Sequence, residues 1–249
     1  MKLAGRTILI TGAAGGIGAA IARRCAAEGA MLWLADIVDC TALAGETGGT
    51  PLLLDVSKEA DWAATATRIA TLHGLVNNAA ISGFADIETL TPAQWRRFQS
   101  VNADSIYLGT RAMLPALRRA AAPAGASAAI LNIGSTLGLR PKSQLPAYAA
   151  AKAALIALTK STALHCAERG HRIRVNALHP GSTETPMMAA NLANDPQARA
   201  RRIAAHPLAT AMNRLIQPED VAAAALFLLS DDSAMITGID LPVDAGATI

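Results

Sequence analysis

The stretch TILITGAAGGIGAAIARRCAAEG, Thr7 to Gly29, decides the fold of this chain. Thr7–Thr11 is a short β-branched and aliphatic run, the signature of a buried strand. Gly12, Gly15, Gly16 and Gly18 follow at once. Gly16–Glu28 then carries apolar residues at helical spacing and stops at Gly29, a C-terminal signal. Glycines between a strand and a helix permit a tight turn. They also let the backbone approach a diphosphate, which rests on the helix N-terminus. The spacing is GxxxGxG, so the GxGxxG fingerprint is not met literally. A second strand-like run, Met31–Ala35, ends at Asp36, 24 residues after Gly12. A carboxylate there can accept both ribose hydroxyls of an adenosine. The plain alternative is a Gly-rich turn beside an ordinary surface acid. Strand, turn, helix and acid in this order favour the nucleotide.

Outward from this unit, strands and helices alternate. Pro51–Val56, Gly74–Asn77, Ala128–Ile133, Ile173–Leu178 and Ile239–Val243 read as strands. Glu59–Thr71, Tyr148–Arg169 and Pro218–Leu229 read as helices. Thr91-Pro92 opens a long helix to about Arg119, with threonine at the N-cap and proline at the first helical position. Continuous apolar strands separated by helices predict an α/β fold, a doubly wound parallel sheet covered on both faces. With no linker or repeat, residues 1–249 read as a single dinucleotide-binding and catalytic domain.

The composition narrows the class. The chain is 52% hydrophobic and 16% charged, too apolar to remain disordered. Aromatics are 3%, so the core must be built from Ala, Leu, Ile and Val. The net charge is only +3, and the pairs Arg23-Arg24, Arg96-Arg97, Arg118-Arg119 and Arg201-Arg202 are scattered. They read as solvated helix faces, not as a nucleic-acid footprint. Cys25, Cys40 and Cys166 form neither a zinc motif nor a disulfide framework and fit a reducing cytosol. Met1–Arg6 leads straight into a strand without a signal peptide, so a cytoplasmic location is expected. Ala120–Leu139 is uncharged and long enough to span a bilayer, but its Pro123, three glycines' worth of turn signals and Asn132 read as loop, strand and loop. The mean hydropathy of +0.30 then points to a large core or an apolar subunit contact. His73, His165, His171, His179 and His206 form no ligand cluster with carboxylates or thiols, so no metal is expected.

Tyr148 and Lys152 lie four apart at the start of a helix and share one face. A free phenol has a pKa near 10, and work near neutrality needs it lowered by roughly three units, about 4 kcal/mol. A neighbouring ammonium and a cationic nicotinamide ring supply such a shift. An isolated YxxxK would be an ordinary surface pair. Here it follows a dinucleotide turn, and Ser135 lies just past a strand, at the edge where doubly wound sheets bind ligands.

Taken together, these residues resemble the classical short-chain dehydrogenase/reductase family, over essentially the whole chain. The resemblance is carried by Thr11-Gly12 through Gly16-Ile17-Gly18, Asp55, Asn77-Asn78-Ala79, Asn102, Ser135, Tyr148-Ala149-Ala150-Ala151-Lys152, Asn176, Pro180-Gly181, Thr237-Gly238 and Val243-Asp244. Ala163 through Met188 also resembles the family's bacterial hydroxysteroid and cyclic-alcohol dehydrogenases. The family implies a Rossmann-type sheet and the following roles. Tyr148 moves the hydroxyl proton. Lys152 lowers the Tyr148 pKa and bonds the nicotinamide ribose. Ser135 holds the substrate oxygen. Asn102 keeps a water that relays protons. Gly12, Gly15, Gly16, Ile17 and Gly18 cradle the diphosphate, and Asp36 with Ile37 meets the adenosine ribose. Asp55-Val56 meets the adenine, Asn78-Ala79 and Ala80 line the adenosine side, and Pro180-Gly181, Thr183 and Thr185 meet the nicotinamide. Two positions depart from the pattern. NNAG reads Asn77-Asn78-Ala79-Ala80, where a strained φ or a shifted loop is expected. DGG reads Asp244-Ala245-Gly246, in a loop that the family uses for subunit contact.

The expected activity is NAD-dependent interconversion of a secondary alcohol and a ketone. The pocket candidates Ile81, Phe84, Leu137, Leu139, Gln144, Leu145, Met187, Met188 and Leu192 favour an apolar or cyclic small-molecule substrate such as a hydroxysteroid. Asp36 followed by Ile37, with no base at Ala13 or Ala14, favours NAD over NADP. That choice counts against a 3-oxoacyl-thioester reductase, which normally prefers NADPH. An intact Ser135, Tyr148 and Lys152 set counts against a non-catalytic NAD(H)-binding sensor. Ser182–Asn213 is expected to form a lid. Ala- and Leu-rich helices, apolar on more than one face, point with the family to a homotetramer that binds neither nucleic acid nor membrane.

Overall fold

The computed structural model describes residues 1–192 and 197–249, with the side chains of Asn191 and Leu192 left out. Seven strands form one parallel sheet: β1 (Thr7–Thr11), β2 (Met31–Asp36), β3 (Thr50–Leu53), β4 (Gly74–Asn77), β5 (Ala128–Ile133), β6 (Ile173–Pro180) and β7 (Asp240–Val243). Their order is β3-β2-β1-β4-β5-β6-β7. The helices are α1 (Gly16–Ala27), α2 (Thr41–Thr47), α3 (Glu59–Arg68), α4 (Pro92–Gln99), α5 (Ser105–Ala121), α6 (Thr136–Leu139), α7 (Pro146–Glu168), α8 (Pro186–Leu192), α9 (Ala198–Ala204), α10 (Pro207–Met212) and α11 (Pro218–Leu229).

Strand periodicity sorts the core into two layers. Ile8 and Ile10 of β1 pack with Ile21 and Cys25 of α1 and with Val221 and Ala225 of α11. Leu9, between them, points the other way and packs with Trp62 of α3, Met113 and Leu117 of α5, and Cys166 of α7. This is the doubly wound α/β arrangement expected from the sequence. The order reverses between β1 and β4, so their carboxyl ends diverge and open a crevice. A buried amide chain pins the sheet beside it. Asn77 Nδ2 donates to Asn132 Oδ1 at 2.8 Å, and Asn132 Nδ2 donates to Thr159 Oγ1 at 2.9 Å.

Several boundaries differ from the sequence reading. The third strand is Thr50–Leu53, and Leu54 to Ser57 leave the sheet toward the crevice. The long helix from Pro92 is not one helix: a π-helical segment, Ser100–Asp104, separates α4 from α5. The sequence reading took no account of a change of helical phase there, so it did not separate the two. The capping box at its start, Thr91 with Gln94, forms as expected. The helix expected to run to Thr71 stops at Arg68, and the one expected from Tyr148 starts two residues earlier at Pro146. The segment expected to be a loop, Ser182–Asn213, carries the short helices α8, α9 and α10. No described helix is long and apolar enough to cross a membrane.

Candidate functional site

The crevice at the β1/β4 switch opens into a cleft of about 640 Å³. Its floor is the Gly-rich turn. Gly12 and Gly16 have φ of +65° and +54°, a backbone region that L side chains rarely adopt. A Cβ on Gly12 would also meet Ala79 Cα and Asn78 Nδ2, each at 2.8 Å. Gly15 caps α1 without a side-chain hydrogen bond, and nothing lies within 4 Å of where its Cβ would stand. The first N–H groups of α1 therefore face open space, as an oxyanion site requires. Gly18 does not line the cleft. A Cβ there would collide with the Gly12 carbonyl, so its role is close helix–turn packing.

The walls follow from the ends of the neighbouring strands. Asp36 closes β2. Its Oδ2 accepts from Ala14 N at 3.0 Å and its Oδ1 from Ile37 N at 2.7 Å, which holds the carboxylate at the rim. Asn78 follows β4 and donates to the carbonyls of Thr11 (2.9 Å) and Gly12 (3.0 Å). Its amide thus braces the turn. Asp55 and Val56 line the cleft, but the Asp55 carboxylate is engaged by Ser57 and Lys58. The Ser57 hydroxyl bond holds that carboxyl below the usual range. Ala79 and Ala80 complete this side. Ala80 is not among the residues with positive φ, so the strain expected there is absent. It occurs instead at Ala245, with φ +51°, the other alanine that replaces a family glycine.

The far end of the cleft holds the reactive side chains. Ser135 leaves β5 and caps α6, its Oγ accepting from Leu137 N at 3.1 Å. Tyr148, half-buried near the start of α7, lines the cleft with Ser135. One turn on, the buried Lys152 Nζ lies 5.7 Å from the Tyr148 ring centroid and donates to Ile133 O at 2.8 Å. Burial pushes the Tyr148 phenol up to about 12, outweighing the lowering by Ser135, and lowers Lys152 to about 8. The chain's own groups therefore hold the phenol above its free value, and the lowering expected from the sequence also draws on a cationic nicotinamide.

Asn102 does not line the cleft. It is fully buried in the π-helical segment, where its Oδ1 accepts from Ile81 N at 3.0 Å. Its Nδ2 has no hydrogen-bond partner among the described residues. π-Bulges recur at functional sites because they re-aim one side chain. On the side where the family resemblance expects the nicotinamide, Gly181 donates to Val243 O at 3.0 Å, and a Cβ there would meet His206 Nε2 at 2.9 Å. Thr183 donates to Gly181 O at 3.2 Å, and Thr185 abuts Gly16. Pro180, Gly181, Thr183 and Thr185 all line the cleft.

Of the pocket candidates, Ile81, Phe84, Leu137, Leu145, Met187 and Met188 line it. Gln144 lines an adjoining cavity, and Leu139 lines neither. The Leu192 side chain lies outside the described residues. Sequence reading missed three site residues. Arg202 lines both cavities and is half-buried, so it is not a solvated helix face. His206 is buried and locks the Pro180-Gly181 turn: its Nδ1 donates to Arg202 O at 2.6 Å and its Nε2 accepts from Ser182 N at 3.1 Å. His179, fully buried, bonds Asp240 Oδ1 at 2.9 Å through Nε2, while its Nδ1 lies within 3.3 Å of the Ser135 backbone N. No motif or period in the sequence marks these three. Among the described residues no His, Cys, Asp and Glu cluster suited to a metal is present.

A parallel sheet with an uncapped helix over a Gly-rich turn, and a Ser–Tyr–Lys set in the same cleft, defines a dinucleotide-binding oxidoreductase. Residues 12–248 match the family model described as enoyl-(acyl carrier protein) reductase. The 3-beta-hydroxysteroid dehydrogenase of Comamonas testosteroni is 35% identical over 252 residues, covering 98% of this chain and 96% of that one. The 2-(S)-hydroxypropyl-CoM dehydrogenase 3 of Xanthobacter autotrophicus is 38% identical over 261 residues, covering 99% and 98%. A solved structure of 3-ketoacyl-(acyl-carrier-protein) reductase from Brucella melitensis, complexed with NADH, superposes with a TM-score of 0.90 at 34% identity over 99% of this chain and 100% of that one. The chain belongs to the classical short-chain dehydrogenase/reductase family.

Proposed function

We propose that this oxidoreductase uses NAD to interconvert a secondary alcohol and a ketone, with Tyr148 as acid and base. The observation that carries the reading is that Ser135, Tyr148 and Lys152 line the same cleft as the Gly-rich turn and Asp36, with the Lys152 ammonium 5.7 Å from the Tyr148 ring centroid. Gly12, Gly15, Gly16 and Ile17 fit a diphosphate, and the Asp36 rim fits an adenosine ribose. When bound, the nicotinamide supplies or takes the hydride. Ser135 Oγ holds the substrate oxygen against Tyr148. In reduction, the phenol gives its proton to that oxygen, and the resulting phenolate stands beside the Lys152 ammonium. In oxidation, the same proton returns. The unpartnered Asn102 Nδ2 supports a water-holding role that links the proton to solvent.

The test is NADH formation by the protein with a panel of secondary alcohols, apolar and cyclic ones included. No turnover, together with tight NADH binding, would support the sensor reading. A second reading is a 3-oxoacyl-thioester reductase, favoured by the NADH-bound Brucella relative. Cofactor choice therefore does not separate the two; faster NADH oxidation with an acyl thioester than with simple ketones would.

Ser182–Asn213 is proposed as a lid over the substrate end, since Met187, Met188 and Arg202 from it line the cleft. NADH should slow tryptic cleavage within it; equal cleavage rates with and without NADH would remove this role. A homotetramer is proposed on the exposed apolar side chains of Tyr107 on α5 and Leu164 on α7. Light scattering should return a mass near four times 25.6 kDa.

A further inference from the structure

Beyond the cleft lies a second cavity of about 840 Å³. Phe84, Ser135, Leu137, Leu145, Ser182 and Arg202 line both spaces. A substrate held by its oxygen at Ser135 therefore extends into a space that Arg202 also bounds. Resting on the alcohol–ketone reading above, we propose that the substrate carries an oxyanion, a carboxylate or a group of like geometry, and that the Arg202 guanidinium binds it.

The walls of the second cavity are unequal in charge. Arg140, Lys142, Arg201 and Arg202 line it with His206, against a single carboxylate side chain among the described residues, Asp86. Asp86 Oδ1 already accepts from Glu88 N, Thr89 N and Thr89 Oγ1 at 3.1, 2.9 and 2.8 Å. Arg140 Nη1 contacts Ile249 O at 3.3 Å.

Arg202 differs from Arg199 on the same helix. Arg199 pairs with Glu184 at 3.3 Å in the open. Arg202 is half-buried and makes one long contact, from Nη1 to Ser182 Oγ at 3.3 Å. No carboxylate among the described residues pairs with it, and burial lowers its pKa. A guanidinium has five donors in a planar fork matched to an oxyanion. Holding such a charge partly desolvated and unpaired is costly. The site also fixes its place: His206 clamps the Arg202 carbonyl to the Ser182 N–H, so the C-terminal end of α9 is tied to the turn after β6. The backbone of Arg202 is thereby held beside the cleft that its side chain lines.

The experiment uses the full chain loaded with NADH and titrates it by calorimetry with cyclohexanecarboxylate, and separately with cyclohexanecarboxamide, its neutral isostere. The carboxylate should bind at least tenfold more tightly. Arg202→Gln should weaken it by roughly 10–100-fold, as for loss of a charged hydrogen-bond partner. Arg202→Lys should recover part of the loss. The amide should bind both proteins alike, and NADH affinity, read by fluorescence, should not change. Kinetics with NAD and 4-hydroxycyclohexanecarboxylate should show the same loss, mainly in KM. Equal binding of acid and amide, or no binding of the acid, overturns the proposal. A matching loss of NADH affinity in Arg202→Gln also overturns it, by making Arg202 a cofactor ligand. Arg202-dependent acid binding without turnover of any alcohol would instead overturn the proposed activity and leave the oxyanion site standing.

Discussion

The first βαβ unit, Thr7 to Asp36, and the segment after β6, Ser182 to Asn213, meet in one cleft but are built on different terms. The first works through backbone. Positive φ at Gly12 and Gly16, free N–H groups at the start of α1 and a rim carboxylate held by Ala14 N are set by which residues lack a Cβ. The second works through side chains that reach the cleft only after three short helices have folded back. Arg202, His206 and Ser182 touch one another there across 24 residues. Backbone chemistry leaves a spacing that can be read. Side-chain chemistry assembled by folding leaves scattered residues that resemble surface.

The largest effect should come from the reactive set between the two regions. Tyr148→Phe removes the proton and keeps the ring. Turnover should fall by roughly 10²–10⁴ or more, while NADH binding stays near wild type. Retention of half the activity would contradict the mechanism.

The backbone unit is probed next through cofactor choice. Two like charges about 4 Å apart repel by roughly 4 kcal/mol at an effective dielectric near 20, and solvent at the rim screens much of this. Asp36 should therefore prefer NAD over NADP by about 100-fold in kcat/KM, roughly 2.7 kcal/mol. Asp36→Ala with Ile37→Arg should move preference toward NADP. Wild-type activity with NADPH at or above that with NADH would unseat Asp36 from the ribose.

Lys152 offers a stability readout separate from turnover. Burial lowers its pKa from 10.5 to about 8. Below pH 8 the ammonium is charged both folded and unfolded, and folding bears the full burial cost. Between about pH 8 and 10.5 the unfolded chain binds more protons, so stability rises with pH. Lys152→Met should be more stable than wild type at pH 7, by up to roughly 3 kcal/mol, and most of the gap should be gone by about pH 10. Urea melts at the two pH values check this; a gap constant with pH would mean that the ammonium is hydrated.

The smallest effect tests the C-terminal loop. Ala245 has φ +51°, where an L residue costs roughly 1–2 kcal/mol, partly offset because glycine loosens the unfolded chain. Ala245→Gly should raise stability by about 0.5–1 kcal/mol, a Tm gain of about 2–4 °C at most for this size. A lower Tm would show that subunit packing at the methyl outweighs the strain.

These regions also mark how far the sequence could be read. Six strands and the two-sided sheet followed from apolar runs, most plainly for β1, β4, β5 and β6, which are buried on both faces. The strand Pro51–Val56 was misplaced because Leu54 and Val56 are buried at the crevice and not in the sheet. Apolar character reports burial, not the partner. The helix from Pro92 was read without its π-helical segment, so Asn102 was assigned by resemblance and not by geometry. Ala80 and Ala245 look alike in sequence as glycine replacements. Only the second stands in left-handed backbone.

By itself the sequence determined the α/β class, the strand that precedes the Gly-rich turn, Asp36 at its offset, and Tyr148 and Lys152 on one helical face. Each of these depends on residues near one another in the chain, where period and steric rules act. Tertiary structure alone decided the π-helical aim of Asn102, the burial that raises Tyr148 and lowers Lys152, the His179–Asp240 pair behind Ser135, and the place of Arg202 in the lining of both cavities. Those properties depend on which groups share a low-dielectric volume, and volume is shared only once distant segments have packed together.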